Sequence, residues 1–195
     1  MIVLLNGPAG VGKDTLADML HDRVWFERIS FKNRITDIAR VMLGDLWKEF
    51  NERYSDRATK EKPWDKIGGL TPRQFYIHVS ENCCKPVFGP KYFGAAELEN
   101  IKDVERSGEE YDFVASDSGF PQEVFPLLDE SNHEVIVARL YRDGYDYDGD
   151  SRAYLKPEDF ETASRKPIFI DIYLKENEPE LAYNDILTGI RNAIR

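Results

Sequence analysis

The chain has 195 residues, 42% of them hydrophobic and 32% charged, with a formal net charge of −10 and an isoelectric point near 4.9. That length suits one domain, or one domain with an insertion, and the apolar content excludes a largely disordered chain. A protein that tracks duplex phosphates carries a basic face; the acidic total argues against one while leaving room for a local basic groove. The two cysteines, Cys83 and Cys84, are adjacent. Neighbours rarely bridge and two thiols do not complete a zinc site, so both are expected reduced, on a helix of a cytosolic protein. No charged leader or long apolar segment opens the sequence, so neither a signal peptide nor a membrane span is expected.

Ile2-Val3-Leu4-Leu5 is a wholly apolar run, the pattern of a parallel strand buried on both faces. Beyond a glycine-rich stretch, Leu16, Met19, Leu20 and Val24 recur at helical spacing. Arg28-Ile29-Ser30-Phe31 reads as a second strand. Ile35, Ile38, Val41 and Met42 mark another helix, with Gly44 at its C-terminal cap. From about Asn51 to Leu70 bases mix with acids, Pro63, Trp64 and Gly68-Gly69, which predicts a mobile loop. Thr71-Pro72 is an N-cap followed by proline at the first helical position; that helix runs through Phe75 and Val79 towards Cys83. Gly89-Pro90 and Gly94 read as breaks. Strands follow at Tyr111 to Ala115, Val135 to Ala138 and Ile168 to Leu174. Helices are expected around Val124, Leu127 and Leu128, and through Ile186, Leu187, Ile190 and Ile194. Alternating strands and helices predict an α/β fold with a mostly parallel sheet and right-handed crossovers.

The strongest signal is Gly7-Pro8-Ala9-Gly10-Val11-Gly12-Lys13-Asp14-Thr15, set between the first strand and the first helix. Glycines let successive backbone N–H groups point inward as a nest for phosphate oxygens, and the helix N-terminus adds partial positive charge. Lys13 bridges the β- and γ-phosphates of a bound triphosphate in this reading. The general motif has Ser or Thr directly after the lysine to hold magnesium; here Asp14 stands there and Thr15 comes next. Thr15 then meets the α-phosphate, and magnesium is held through water by Asp14 or by a carboxylate elsewhere.

The Lys13-Asp14-Thr15 variant resembles the nucleoside monophosphate kinase branch of P-loop proteins. Ser30-Phe31-Lys32, Thr71-Pro72-Arg73-Gln74, Ser116 to Pro121 and Asp150-Ser151-Arg152 follow in the order found in bacteriophage deoxynucleoside monophosphate kinases. The resemblance covers positions 7 to about 155, and outside the loop the order of the motifs carries it. It implies a three-layer P-loop kinase fold over residues 1–195, with an acceptor-side helical insertion at about 45–105 and a lid-like segment at about 142–156.

On that resemblance Arg73 grips the phosphate of the acceptor, as a guanidinium can with two oxygens at once. Asp117, at the end of an apolar strand where open α/β sheets place ligands, organises magnesium through water or takes a proton from an attacking hydroxyl. Relatives often carry an arginine shortly after this aspartate; this chain has Gly119. Arg142 and Arg152 flank an acidic, glycine-containing stretch, as arginines do in lids that close over phosphates and exclude water. Ser30, Lys32, Trp64, Tyr92 and Phe93 are candidates to line the acceptor pocket, with an aromatic ring stacking on a base. His21, His78 and His133 lack metal-ligand spacing.

The expected activity is phosphoryl transfer from ATP, with magnesium, to a deoxynucleoside monophosphate. One alternative is a kinase acting on the hydroxymethyl group of 5-hydroxymethyluracil in phage DNA, with the basic residues between Arg53 and Lys66 lining a strand groove. Another is a regulator that binds ATP without transferring phosphate. The partner expected is a small-molecule nucleotide, DNA under the first alternative, and no membrane; a homodimer is left open. The setting is cytoplasmic, in a host cell if the source is a phage.

Overall fold

In a computed structural model, which describes residues 1–106, 108–150 and 152–194, five strands form one sheet in the order β2-β3-β1-β4-β5. They are β1 Ile2–Asn6, β2 Glu27–Ile29, β3 Phe113–Ala115, β4 Val135–Tyr141 and β5 Ile168–Tyr173. Every pairing is parallel. The apolar run of β1 explains its central place: Val3 and Leu5 face one core cluster, Ile2 and Leu4 the other, and all four are fully buried.

Helices α1 Lys13–Val24 and α8 Pro179–Ala193 pack on the Val3 and Leu5 face. Helices α6 Tyr92–Glu105 and α7 Pro121–Glu130 pack on the Ile2 and Leu4 face through Leu98, Ile101, Val124 and Leu127. The result is the expected three-layer α/β arrangement. Because β1 leads into α1 on one face and the neighbouring β3 into α7 on the other, their C-terminal ends open a crevice, the usual ligand position in such sheets.

Contacts divide the chain into two compact units: Met1–Phe31 with the chain from Gly94 onward, and Lys32–Phe93. The second unit therefore starts before the expected boundary near 45 and ends before 105. It holds α2 Asn33–Leu43, α3 Trp47–Ser55, α4 Pro72–Ile77, a π-helical stretch His78–Cys84 and α5 Lys85–Phe88, around a core that includes Phe50, Trp64, Phe75, Val79 and Phe93.

Two sequence readings are corrected here. The segment read as a loop from Asn51 onward begins inside α3, whose Phe50 anchors a cluster of rings with Tyr54, Trp64, Phe75 and Tyr76. Gly94, read as a break, lies inside α6. A β-carbon there would sit 2.1 Å from the carbonyl oxygen of Glu123 in α7, so the glycine marks close helix packing rather than a turn. The Thr71 cap is as expected. Its hydroxyl accepts from the Gln74 amide at 3.1 Å and the Gln74 side chain accepts from the Thr71 amide at 2.9 Å, a complete capping box.

Candidate active site

The sheet unit gathers most of the sequence candidates at one edge. Gly7 follows β1, Ser30 follows β2, Ser116 and Asp117 follow β3, and Arg142 follows β4, all beyond the C-terminal ends of parallel strands. The loop from Gly7 to Gly12 then enters α1. Gly10 and Gly12 take φ of 79° and 115°, left-handed values that a side-chain-bearing residue resists. Val11 between them is fully buried and pins the loop to the core.

Lys13 is only 7% exposed, and its Nζ donates to the carbonyls of Gly7 at 2.6 Å and Pro8 at 2.7 Å. A buried ammonium needs such partners, and loop carbonyls are ones that an arriving phosphate can replace without moving the backbone. Asp14 is exposed and accepts at 2.6 Å from the hydroxyl of Ser116, which in turn accepts from Arg28 at 3.3 Å. Thr15 is exposed one residue further along the first turn of α1.

Asp117 is nearly buried, and both its oxygens take part in hydrogen bonds: Oδ2 accepts from the Ser30 hydroxyl at 2.7 Å and Oδ1 from the Phe31 amide at 3.4 Å. Ser30 is held a second time, its amide donating to the buried carboxylate of Glu97 at 3.1 Å. Glu97 was not picked out in the sequence, because a glutamate inside a helix carries no local mark of burial. The same applies to Asn6 and Tyr147, whose hydrogen bond joins the end of β1 to the 142–156 segment at 3.1 Å. The visible sign was one polar residue closing an apolar strand.

Arg152 is clamped by Asp150, Nη2 to Oδ2 at 2.6 Å and Nε to Oδ1 at 3.1 Å. The Asp150 carboxylate raises the arginine's pKa further, with a smaller push from Asp117. Its aliphatic stem lies on Gly119: a β-carbon there would stand 2.8 Å from the arginine's Cβ. Gly119 is thus covered by the stem of Arg152. Ser151, in the same motif, lies outside the described residues. Arg142 packs its guanidinium over the Tyr145 ring at 4.7 Å, and that ring faces Gly10, where a β-carbon would sit 3.3 Å away. This sets Arg142 and Tyr145 beside the glycine-rich loop.

Among the described residues there is no group of three or more His, Cys, Asp or Glu suited to hold a metal ion. Magnesium keeps several waters and binds one or two carboxylates together with substrate phosphates. Asp14 and Asp117, single carboxylates anchored by serine hydroxyls, suit an ion that arrives on a triphosphate.

Lys32, Trp64 and Arg73 belong to the second unit. Lys32 is exposed just ahead of α2. Trp64 is 5% exposed and its ring packs against Phe50, with Arg53 and Lys66 over it at 5.0 Å and 5.8 Å. It is a core side chain, and Phe93, another candidate for the acceptor pocket, is buried in the same core. Arg73, in the first turn of α4, donates through Nε to Glu61 at 2.6 Å and is 43% exposed.

No protein-family model matches the chain, and no curated protein is similar to it in sequence. Solved structures are similar in fold. A Chloroflexus aurantiacus protein provisionally described as a kinase matches with a TM-score of 0.50 at 12% identity, over 100% of this chain and 98% of its own. Dephospho-CoA kinase from Campylobacter jejuni gives 0.47 at 13% identity, over 100% and 98%. Shikimate kinase from Aquifex aeolicus gives 0.41 at 15% identity, over 98% and 97%. At such identities a likeness speaks to fold alone. The chain has an α/β fold with a five-stranded parallel sheet, which it shares with the Chloroflexus aurantiacus protein.

Proposed function

We propose that the protein transfers the γ-phosphate of ATP to a deoxynucleoside monophosphate, giving the diphosphate and ADP. The observation that carries this reading is the loop at the end of β1: two left-handed glycines, a helix N-terminus and the buried Lys13 Nζ resting on displaceable carbonyls. The same unit supplies Asp117 and Arg152, so donor binding and charge neutralisation come from one rigid sheet edge.

In the reaction a phosphate oxygen of the acceptor forms a bond to the γ-phosphorus while the bond to the β–γ bridging oxygen breaks. That bridging oxygen leaves on ADP. The loop amides hold the β-phosphate; Lys13 follows the charge from the β- to the γ-oxygens; Arg152 neutralises the transferring group. Bound magnesium, which Asp14 and Asp117 would hold through water, would supply further charge neutralisation on the triphosphate. A phosphate nucleophile has no proton to lose, so Asp117 acts here as an anchored anion rather than a base. Arg73 grips the acceptor phosphate after exchanging Glu61 for it.

The alternative acceptor, 5-hydroxymethyluracil in DNA, requires free basic side chains along the strand. In the second unit three of these are engaged at the surface: Arg53 and Lys66 meet Glu49 at 3.6 Å and 2.6 Å, and Lys60 lies over the Tyr54 ring at 4.0 Å. The deciding experiment incubates the protein with γ-labelled ATP and separate pools of free deoxynucleoside monophosphates, plain DNA and hydroxymethyluracil-containing DNA. Label is expected in the monophosphate pool. Label in the modified DNA alone would replace the acceptor and keep the fold-based donor reading; label in none would overturn both.

A further inference from the structure

Asn6 closes β1, precedes the first glycine of the phosphate loop and is fully buried. A buried primary amide must satisfy two N–H donors and an acceptor oxygen. Its Nδ2 donates to the Tyr147 hydroxyl at 3.1 Å and the Ala153 carbonyl at 3.1 Å, with the Ser118 carbonyl at 3.5 Å; its Oδ1 accepts from the Leu155 amide at 2.9 Å. These partners bracket Arg152 on both sides. Beyond them, Leu155 is buried in the core cluster on the α7 face of the sheet. Ser118 adds a second tie to β1, its hydroxyl donating to the Leu5 carbonyl at 3.1 Å.

We propose that Asn6 is the positioning residue for Arg152. Its amide ties the arginine-bearing segment to the strand end from which the glycine-rich loop starts, so the guanidinium is set relative to that loop. The stem of Arg152 against Gly119, two residues past Asp117, completes the placement from the other side. A hydrophobic residue at the end of β1 would fill the space but leave the Leu155 amide and Ala153 carbonyl without these bonds. The catalytic part of this proposal rests on the assignment of Arg152 to the transferring phosphate; the positional part does not.

The test uses the full-length protein with Asn6→Ala, Arg152→Ala and the double variant, read by kcat and by backbone hydrogen exchange. Asn6→Ala is expected to lower kcat about thirtyfold in the wild-type background and less than about threefold in the Arg152→Ala background, because coupled residues are not additive. Exchange of the Leu155 amide and its neighbours should quicken at least about tenfold while the amides of β1 and β4 keep their protection, a local opening. Equal losses in both backgrounds, or exchange that is unchanged or quickened throughout the sheet, would overturn the proposal. Normal kcat in Arg152→Ala would sink the catalytic assignment of that arginine, and the exchange pattern would then decide the positional role alone. Should Asn6→Ala not fold, Tyr147→Phe removes one partner and keeps the ring. It is expected to give the same local exchange pattern with about a threefold loss of kcat, and wild-type behaviour in both readouts would count against the proposal.

Discussion

In the sheet unit the candidate residues are fixed by backbone and by buried polar groups: Gly10 and Gly12 by their φ, Asp117 by Ser30, Arg152 by Asp150 and by the Asn6 network around it. In the Lys32–Phe93 unit the corresponding candidates are committed elsewhere. Trp64 fills the core and Arg73 is paired with Glu61 at the surface. Under the proposed function, the contrast separates a site built before ligand arrives from side chains that must exchange partners to bind. An exposed ion pair such as Arg73–Glu61 costs little to open, roughly 0–1 kcal/mol, so exchange is within reach of an incoming phosphate.

The largest effect should come from the built side. Lys13→Ala is expected to lower turnover at least about a thousandfold, some 4 kcal/mol of barrier, while circular dichroism shows a folded protein. Activity within about tenfold of wild type would remove Lys13 from the chemistry. Asp117→Asn sharpens the comparison further. With a phosphate acceptor it should cost about ten- to thirtyfold in kcat and raise the magnesium concentration needed, whereas loss of a true base would cost about 10²–10⁴-fold. The pH profile of kcat distinguishes the two, since only a base adds a limb to it.

On the second unit, Arg73→Ala should raise the KM of the acceptor about tenfold, with ATP affinity changed less than about twofold. Loss of ATP binding with a normal acceptor KM would contradict its placement. Trp64→Leu should act on stability alone, by about 2–4 kcal/mol in urea unfolding, with acceptor KM within about threefold. A raised KM without loss of stability would restore the base-stacking role. Acceptor KM should also respond weakly to salt, changing less than about threefold between about 50 and 200 mM, in contrast to the steep dependence of a strand-tracking surface.

The contrast also governs what could be read in advance. The backbone form of the glycine-rich loop was legible because backbone demands show directly as residue type: glycine where φ is positive, lysine at the helix start. The Thr71-Pro72 cap was legible for the same reason, its side chain serving the adjacent amides. Gly94 was misread because the demand came from the Glu123 carbonyl in another helix, distant in sequence. The burial of Trp64 was not legible because Phe50, the ring packed against it, lies outside the charged stretch that surrounds it in sequence. Asn6 stood in plain view as a polar end to an apolar strand, yet its partners lie more than a hundred residues away. Local constraints write themselves into local sequence; long-range ones do not.

The central claim is phosphoryl transfer between two nucleotides on the sheet unit's loop. Its most direct measurement is phosphorus NMR of the protein with ATP, magnesium and a pool of deoxynucleoside monophosphates. The account predicts that the γ-resonance of ATP declines while ADP and a deoxynucleoside diphosphate appear in equal amounts, and that Lys13→Ala leaves the spectrum unchanged. ATP that persists, or that yields only inorganic phosphate, would contradict it.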